Sequence, residues 1–137
     1  MAETPPAPLM GALGGEAGIR AWVDRFYDAI AAHALLAPLF PPDLSPSRDK
    51  QFAFFVQFFG GPPLYEQRYG KAFLRFKHRH VRIGAPERDA WMELLLSALR
   101  DGGAAADLVD QVEARVAPLA NAMINHHPEK QDAYFFN

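Results

Sequence analysis

At 137 residues, with half of them hydrophobic and eleven of them phenylalanine, the chain is sized for one domain with a real core. A formal net charge of −2 leaves no general footprint for nucleic acid or an anionic membrane, and the lack of cysteine excludes disulfides, Cys–zinc sites and thiol catalysis. No apolar run nears the ~20 residues that span a bilayer, and Met1-Ala-Glu-Thr-Pro-Pro is no secretory signal, so a cytoplasmic protein is expected, with no membrane and no nucleic-acid partner.

Residues 1–8 are Pro-rich and read as a flexible tail. Residues 9–13 suit one short turn before Gly14-Gly15. Ile19, Trp22, Val23, Phe26, Tyr27 and Ile30 repeat at helical spacing, which predicts a helix from near Glu16 to near Ala32. Tyr27 lies on its apolar face, an odd place for a hydroxyl, because a buried Tyr O–H needs a partner. A core tyrosine bonded to a backbone carbonyl is the plain reading.

The run 35–42 is apolar but broken by Pro38, Pro41 and Pro42, and predicts a compact turn with Phe40 as its inward anchor. Ser45-Pro46-Ser47 resembles a helix start, with the helix proper expected over Arg48 to Phe59. Its face at 47, 51, 54, 55 and 58 reads Ser, Gln, Phe, Phe, Phe. The plain reading is a core helix with Gln51 at the border with solvent. Gly60-Gly61-Pro62-Pro63 stops it.

Leu64 to Gly70 reads as polar and irregular. A short helix over 71–79 would place Leu74 and His78 on one face, one turn apart, while His80 points roughly the opposite way. The two histidines converge on one ion only if the chain is extended there. Pro86 suits the first position of a new helix and Glu87 its positive end. Trp91, Leu94, Leu95 and Leu99 then form the apolar stripe of an amphipathic helix ending at Gly102-Gly103. The last helix is expected from about Ala105 to Asn125, apolar at Leu108, Val112, Val116, Leu119 and Met123, with a kink at Pro118. His126-His127-Pro128 ends it, and residues 128–137 read as a tail whose Tyr134-Phe135-Phe136 is free to dock or pack.

No segment alternates with period 2, so the fold class is all-α. There is no phosphate-cradling Gly loop, nucleophile elbow or HExxH, and the carboxylates form no acid–base pair. Lys71, Arg75, Lys77, Arg79 and Arg82 cluster around His78, mostly as a solvated face. The residues alone describe a helical domain with an aromatic interior, one inward His, one inward Trp and one inward Tyr. That inventory suits a flat apolar cofactor. A satisfied core histidine, a cofactor-free interaction module and a zinc site on His78 and His80 stay open beside it.

Taken together, Phe26-Tyr27, the turn ending at Phe40-Pro41, Gln57-Phe-Phe-Gly-Gly-Pro-Pro63, Leu74-Arg-x-x-His78 leading to Ile83, and Glu87-Arg-Asp-Ala-Trp91 resemble the truncated haemoglobins. They look most like the group II branch, over about residues 9–125. A histidine thirteen residues before Trp91 is the most specific element.

The resemblance implies a two-over-two helical sandwich around a haem b pocket, spanning residues 9–127 between two tails. His78 would be the proximal iron ligand, its other N–H bonded to a backbone carbonyl or carboxylate. Phe40 would stack on the porphyrin, with Phe54, Phe55, Phe58 and Ile83 lining the apolar side. Arg75, Lys77 or Arg79 would reach a propionate. On the other face Tyr27, Gln51 and Trp91 would form a polar cage, with Tyr27 the main donor, and Ser47 would mark the ligand entrance. Donors aimed at bound O2 would retard its loss.

Two departures stand out: the run after the proximal histidine, and the Pro-rich start and tail after His127, which fall outside the family pattern. Members of this branch often follow the proximal histidine with a small residue, Pro and Phe. Here the run is Arg79-His80-Val81, which thins the proximal packing. His80 is a rival ligand, but the register to Trp91 argues against it. The function implied is oxygen binding, with CO, NO or sulfide as further ligands, in capture, sensing or protection rather than bulk oxygen transport. The alternative is an enzyme, an NO dioxygenase or peroxidase, fed by a separate electron-donating reductase. A homodimer stays open, and no catalytic residue is assigned.

Overall fold

The computed structural model describes residues 8–127. The expected tails, Pro8 apart, lie outside the described residues. Among the described residues there are six helices, α1 (Gly15–Ala31), α2 (Ser45–Phe58), α3 (Leu64–Tyr69), α4 (Leu74–Lys77), α5 (Ala85–Asp101) and α6 (Ala106–Met123), with one 3-10 turn at Ala37–Leu39. Among the described residues there is no strand, and none of the helices is long and apolar enough to cross a membrane.

The helices α1 and α2 form one pair and α5 and α6 the other, joined by α1 packing on α5. That is the two-over-two arrangement. The joint is made by Trp22, which is 1% exposed and so must satisfy its indole N–H inside the core. Its Nε1–H donates to the Leu95 carbonyl at 3.0 Å, and its ring stacks on Phe55 with centroids 4.9 Å apart. One side chain thereby touches α1, α2 and α5. Arg25 adds a second tie to α5, donating from Nε to the Ala98 carbonyl at 2.9 Å. Arg48 reaches back from α2 to α1, donating to the Asp24 carbonyl at 3.0 Å and pairing with Asp28 at 2.6 Å.

The stripe expected on α1 is buried throughout: Ile19, Trp22, Val23, Phe26, Tyr27 and Ile30. Several boundaries differ from expectation. Phe40 is only half-buried, and Leu36 is the anchor of the Pro-rich turn at 1% exposed. Leu64–Tyr69 is a helix rather than an irregular loop. Its polar sequence hides the cause, which is tertiary: Gln57 Oε1 accepts the Glu66 N–H at 3.0 Å, and buried Tyr65 meets Phe54 edge-on. The helix expected over 71–79 shrinks to the four residues of α4. Phe73 stands before it at φ 39°, in the left-handed region that a residue with a Cβ rarely adopts, so no helical turn can run through it. In α6 the buried residues are Val109, Val112, Val116 and Ala120, and the helix continues through Pro118. Pro118 and Ala114, whose carbonyl loses its helical partner, both lie exposed, within reach of solvent.

Gly18 sits where α1 crosses the turn before it. A Cβ there would be driven into the Leu13 carbonyl, and backbone cannot step aside as a flexible side chain can. Gly18→Ala should therefore destabilise the chain by about 1–3 kcal/mol although alanine is the better helix former. The denaturant midpoint at constant m-value reads this, and an unchanged or raised midpoint contradicts it.

Candidate functional site

A cavity of about 380 Å³ lies between the two helix pairs. Each element supplies something to its wall. Tyr27 comes from α1, Phe40 from the Pro-rich turn, Ser47, Gln51, Phe54 and Phe55 from α2, and Tyr65 from α3. Leu74, Lys77 and His78 come from α4 and its end, Ile83 from the loop beyond, Trp91 from α5, and Leu119 and Met123 from α6. Ten of the site residues expected in the sequence analysis therefore meet at one cavity: Tyr27, Phe40, Ser47, Gln51, Phe54, Phe55, Lys77, His78, Ile83 and Trp91.

His78 is held in one tautomer. It caps α4, and the Leu74 carbonyl accepts both its backbone N–H at 3.0 Å and its Nδ1 at 2.6 Å. A carbonyl oxygen can only accept, so Nδ1 carries a proton, and in the neutral ring Nε2 is then the nitrogen with the lone pair. Among the described residues nothing bonds Nε2. A neutral imidazole with a fixed ring and an open Nε2 is the form that ligates a metal.

Three other polar groups on the wall, on Tyr27, Gln51 and Trp91, are donors without partners among the described residues. Tyr27 is 3% exposed, yet its hydroxyl makes no hydrogen bond among the described residues. The plain reading, a hydroxyl bonded to a carbonyl, does not hold. Its ring is fixed edge-on by Phe26 and Phe40, at 5.3 and 5.7 Å between centroids. Burial pushes the phenol well above its ordinary value, against a smaller opposing pull from the Arg48 guanidinium, so it stays protonated and able to donate. Trp91 stands edge-on to Phe26 at 5.4 Å, and its indole N–H and the Gln51 amide likewise have no partner among the described residues. Trp22 shows the contrast, since its N–H is used in the core.

Three expected contacts lie elsewhere. Arg75 and Arg79 do not line the cavity but a separate surface depression beside Ile124 and Asn125. From α4 and its cap the residues that face the cavity are Leu74, Lys77 and His78. Arg79 lies over the Phe76 ring at 3.7 Å and donates to the Phe76 carbonyl. Phe58 is not on the wall either; it stacks on the outer side of Phe54 at 5.5 Å. The cations that do line the cavity are Lys50, Lys77 and Arg88. Lys77 Nζ donates to the Tyr65 hydroxyl and the Lys71 carbonyl, both at 3.0 Å, and Arg88 donates to Asn121 at 2.8 Å. His80 is exposed and touches the rim. Sequence reasoning missed Lys50, Tyr65 and Arg88. Tyr65 carried a weak signal, an aromatic directly after the Pro-Pro stop.

This donor set fits a haem. Among the described residues no three His, Asp or Glu side chains gather as a metal cluster, so His78 offers a metal a single nitrogen. A bare ion needs more, whereas a macrocycle brings its own four nitrogens and needs one axial ligand from the protein. The aromatic wall suits the ring's faces, and the rim lysines and arginine suit its carboxylates.

Comparison with known proteins places the chain in company. A family model described as bacterial-like globin matches residues 9–125. The chain is 35% identical over 111 residues to Group 2 truncated hemoglobin YjbI of Bacillus subtilis, covering 81% of this chain and 84% of that protein. The crystal structure of the group II truncated haemoglobin from Bacillus anthracis aligns with a TM-score of 0.85 at 33% identity, over 94% of this chain and 99% of that one. The truncated oxygen-avid haemoglobin from Bacillus subtilis aligns with a TM-score of 0.82 at 34% identity, over 86% and 99%.

The buried phenol leaves a pH signature. Its folded value lies above the unfolded 10.0, so folding favours the protonated form. That contribution is complete below the unfolded value and is lost as pH rises past it. Stability of the wild type should therefore fall more steeply above about pH 10 than that of Tyr27→Phe. Denaturation midpoints of the two chains measured across that range test this, and parallel curves would count against a desolvated phenol.

Proposed function

The chain belongs to the bacterial-like globin family, and from that membership we propose that it is a haem b protein that captures O2 and releases it slowly. Membership implies a haem and the binding of small gaseous ligands. The finer reading is carried by one observation: an imidazole with its Nε2 free shares a cavity with a buried phenol that has no partner. When bound, the haem would supply an iron able to take up a diatomic gas.

The chain supplies the rest. His78 gives Nε2 to the iron, and the Leu74 carbonyl sets the ring's tautomer and plane. Phe40, Phe54, Phe55, Ile83, Leu119 and Met123 exclude water and give the ring its apolar contacts. Lys50, Lys77 and Arg88 meet its carboxylates at the rim. Tyr27 donates its proton toward the gas, Trp91 adds the indole N–H, and Gln51 supports them. Ser47, small and half-buried, lines the way in. A hydrogen bond to a group bearing charge contributes about 1.5–3 kcal/mol, so two donors in a dry pocket slow release markedly. CO, NO and sulfide are further ligands of the same site. Slow release suits capture, sensing or protection, and the oxygen-avid relative from Bacillus subtilis accords with it.

Purified chain expressed with haem should be coloured, with a ferrous spectrum that changes on adding CO. His78→Gly should lose the iron–histidine signature. Tyr27→Phe should speed O2 release by roughly ten- to a hundredfold, the kinetic equivalent of one charge-assisted bond. A colourless product despite haem supply, or an unaltered release rate in Tyr27→Phe, would overturn the reading.

A further inference from the structure

The loop after α4 has little of its own to hold it. Between His78 and Ile83 the one bond internal to the loop is Val81 N–H to the His78 carbonyl at 3.0 Å. Yet His78, Val81 and Ile83 all line the cavity, so the loop's placement decides the cavity's wall.

The missing restraint comes from the far end of the chain. Asn125, just past α6, donates from Nδ2 to the Val81 carbonyl at 2.7 Å and to the His78 carbonyl at 3.2 Å. Its Oδ1 accepts the Ile83 N–H at 2.8 Å. The backbone N–H groups of Asn125 and His126 both donate to the Ile83 carbonyl, at 2.8 and 3.0 Å. Every bond has the right polarity only in this orientation of the amide, because the flipped form would set oxygen against two carbonyls. One side chain therefore engages three of the loop's four cavity-lining residues, His78, Val81 and Ile83 but not His80, through their backbones.

We infer that Asn125 is a positioning residue for His78: it clamps the loop that carries the imidazole to the end of α6. The inference rests on the reading of His78 as the haem ligand. It specifies an amide. Asp is the same size and keeps the bond to Ile83, but it has no N–H for the two carbonyls and presents charge to them instead. Alanine loses all three side-chain bonds.

The test uses the full chain, with haem, as Asn125→Ala and Asn125→Asp. Arg25→Met is the control, since it also removes a side-chain bond to a backbone carbonyl, on the α1–α5 joint away from the loop. The iron–histidine stretching band of the ferrous form should shift or broaden in both Asn125 variants, and haem loss to an acceptor protein should quicken about tenfold, as for ~1.4 kcal/mol. Arg25→Met should lower the melting temperature without moving the band. Unchanged bands in both Asn125 variants, or an equal shift in Arg25→Met, overturn the clamp. Amide exchange at Val81 and Ile83 in the haem-free chain separates the two readings. It should quicken in both Asn125 variants whether or not His78 ligates iron, and unchanged exchange there defeats the clamp itself.

Discussion

A single carbonyl oxygen, that of Leu74, sets the chemistry of this cavity. It accepts two hydrogen bonds from His78, one from the backbone and one from Nδ1. Remove the second and the ring is free to turn and to exchange tautomers, and its lone pair no longer has a fixed direction. Backbone capping and side-chain orientation are thus joined in one turn of helix. That explains why four residues of α4 suffice where a longer helix was expected.

The opposite sign of the same accounting appears at Tyr27. Its hydroxyl has no partner among the described residues, and because no side-chain nitrogen or oxygen there is both sealed off and unpaired, it opens onto the cavity. Here two phenylalanine edges fix the ring and α1 fixes its backbone, so the hydroxyl cannot swing to find a carbonyl. The two tryptophans show the same division of labour. Trp22 has its N–H satisfied and joins three helices, whereas Trp91 keeps its N–H unused at the cavity. The donors left without a protein partner face the cavity and not the core.

Stability and site are therefore carried by different side chains on the same helices. Trp22, Phe55, Leu95 and their neighbours fill the core between α1, α2 and α5. Tyr27, Gln51 and Trp91 ride on those helices, a few residues along, and inherit their rigidity. Arg48 strengthens this arrangement by bracketing Asp24 and Asp28 on either side of Tyr27, which holds the start of α2 against α1.

By itself the sequence determined the all-α class and the long amphipathic stripe of α1, because helical period and turn residues are local properties, while on α5 only Leu95 and Leu99 of the expected stripe are buried, beside Met92, Leu96 and Ala98. That His78, Tyr27, Gln51 and Trp91 share one cavity was implied by the resemblance and not by spacing. Tertiary structure alone decided the rest. Tyr65 became wall rather than loop because Gln57 and Phe54 hold α3 in place. Lys50 and Arg88 replaced Arg75 and Arg79 at the rim because α4 ends after one turn. Asn125 came to grip the histidine loop across 47 positions of sequence, a contact no periodicity can announce. Spacing tells which face a residue takes; only packing tells what stands opposite that face.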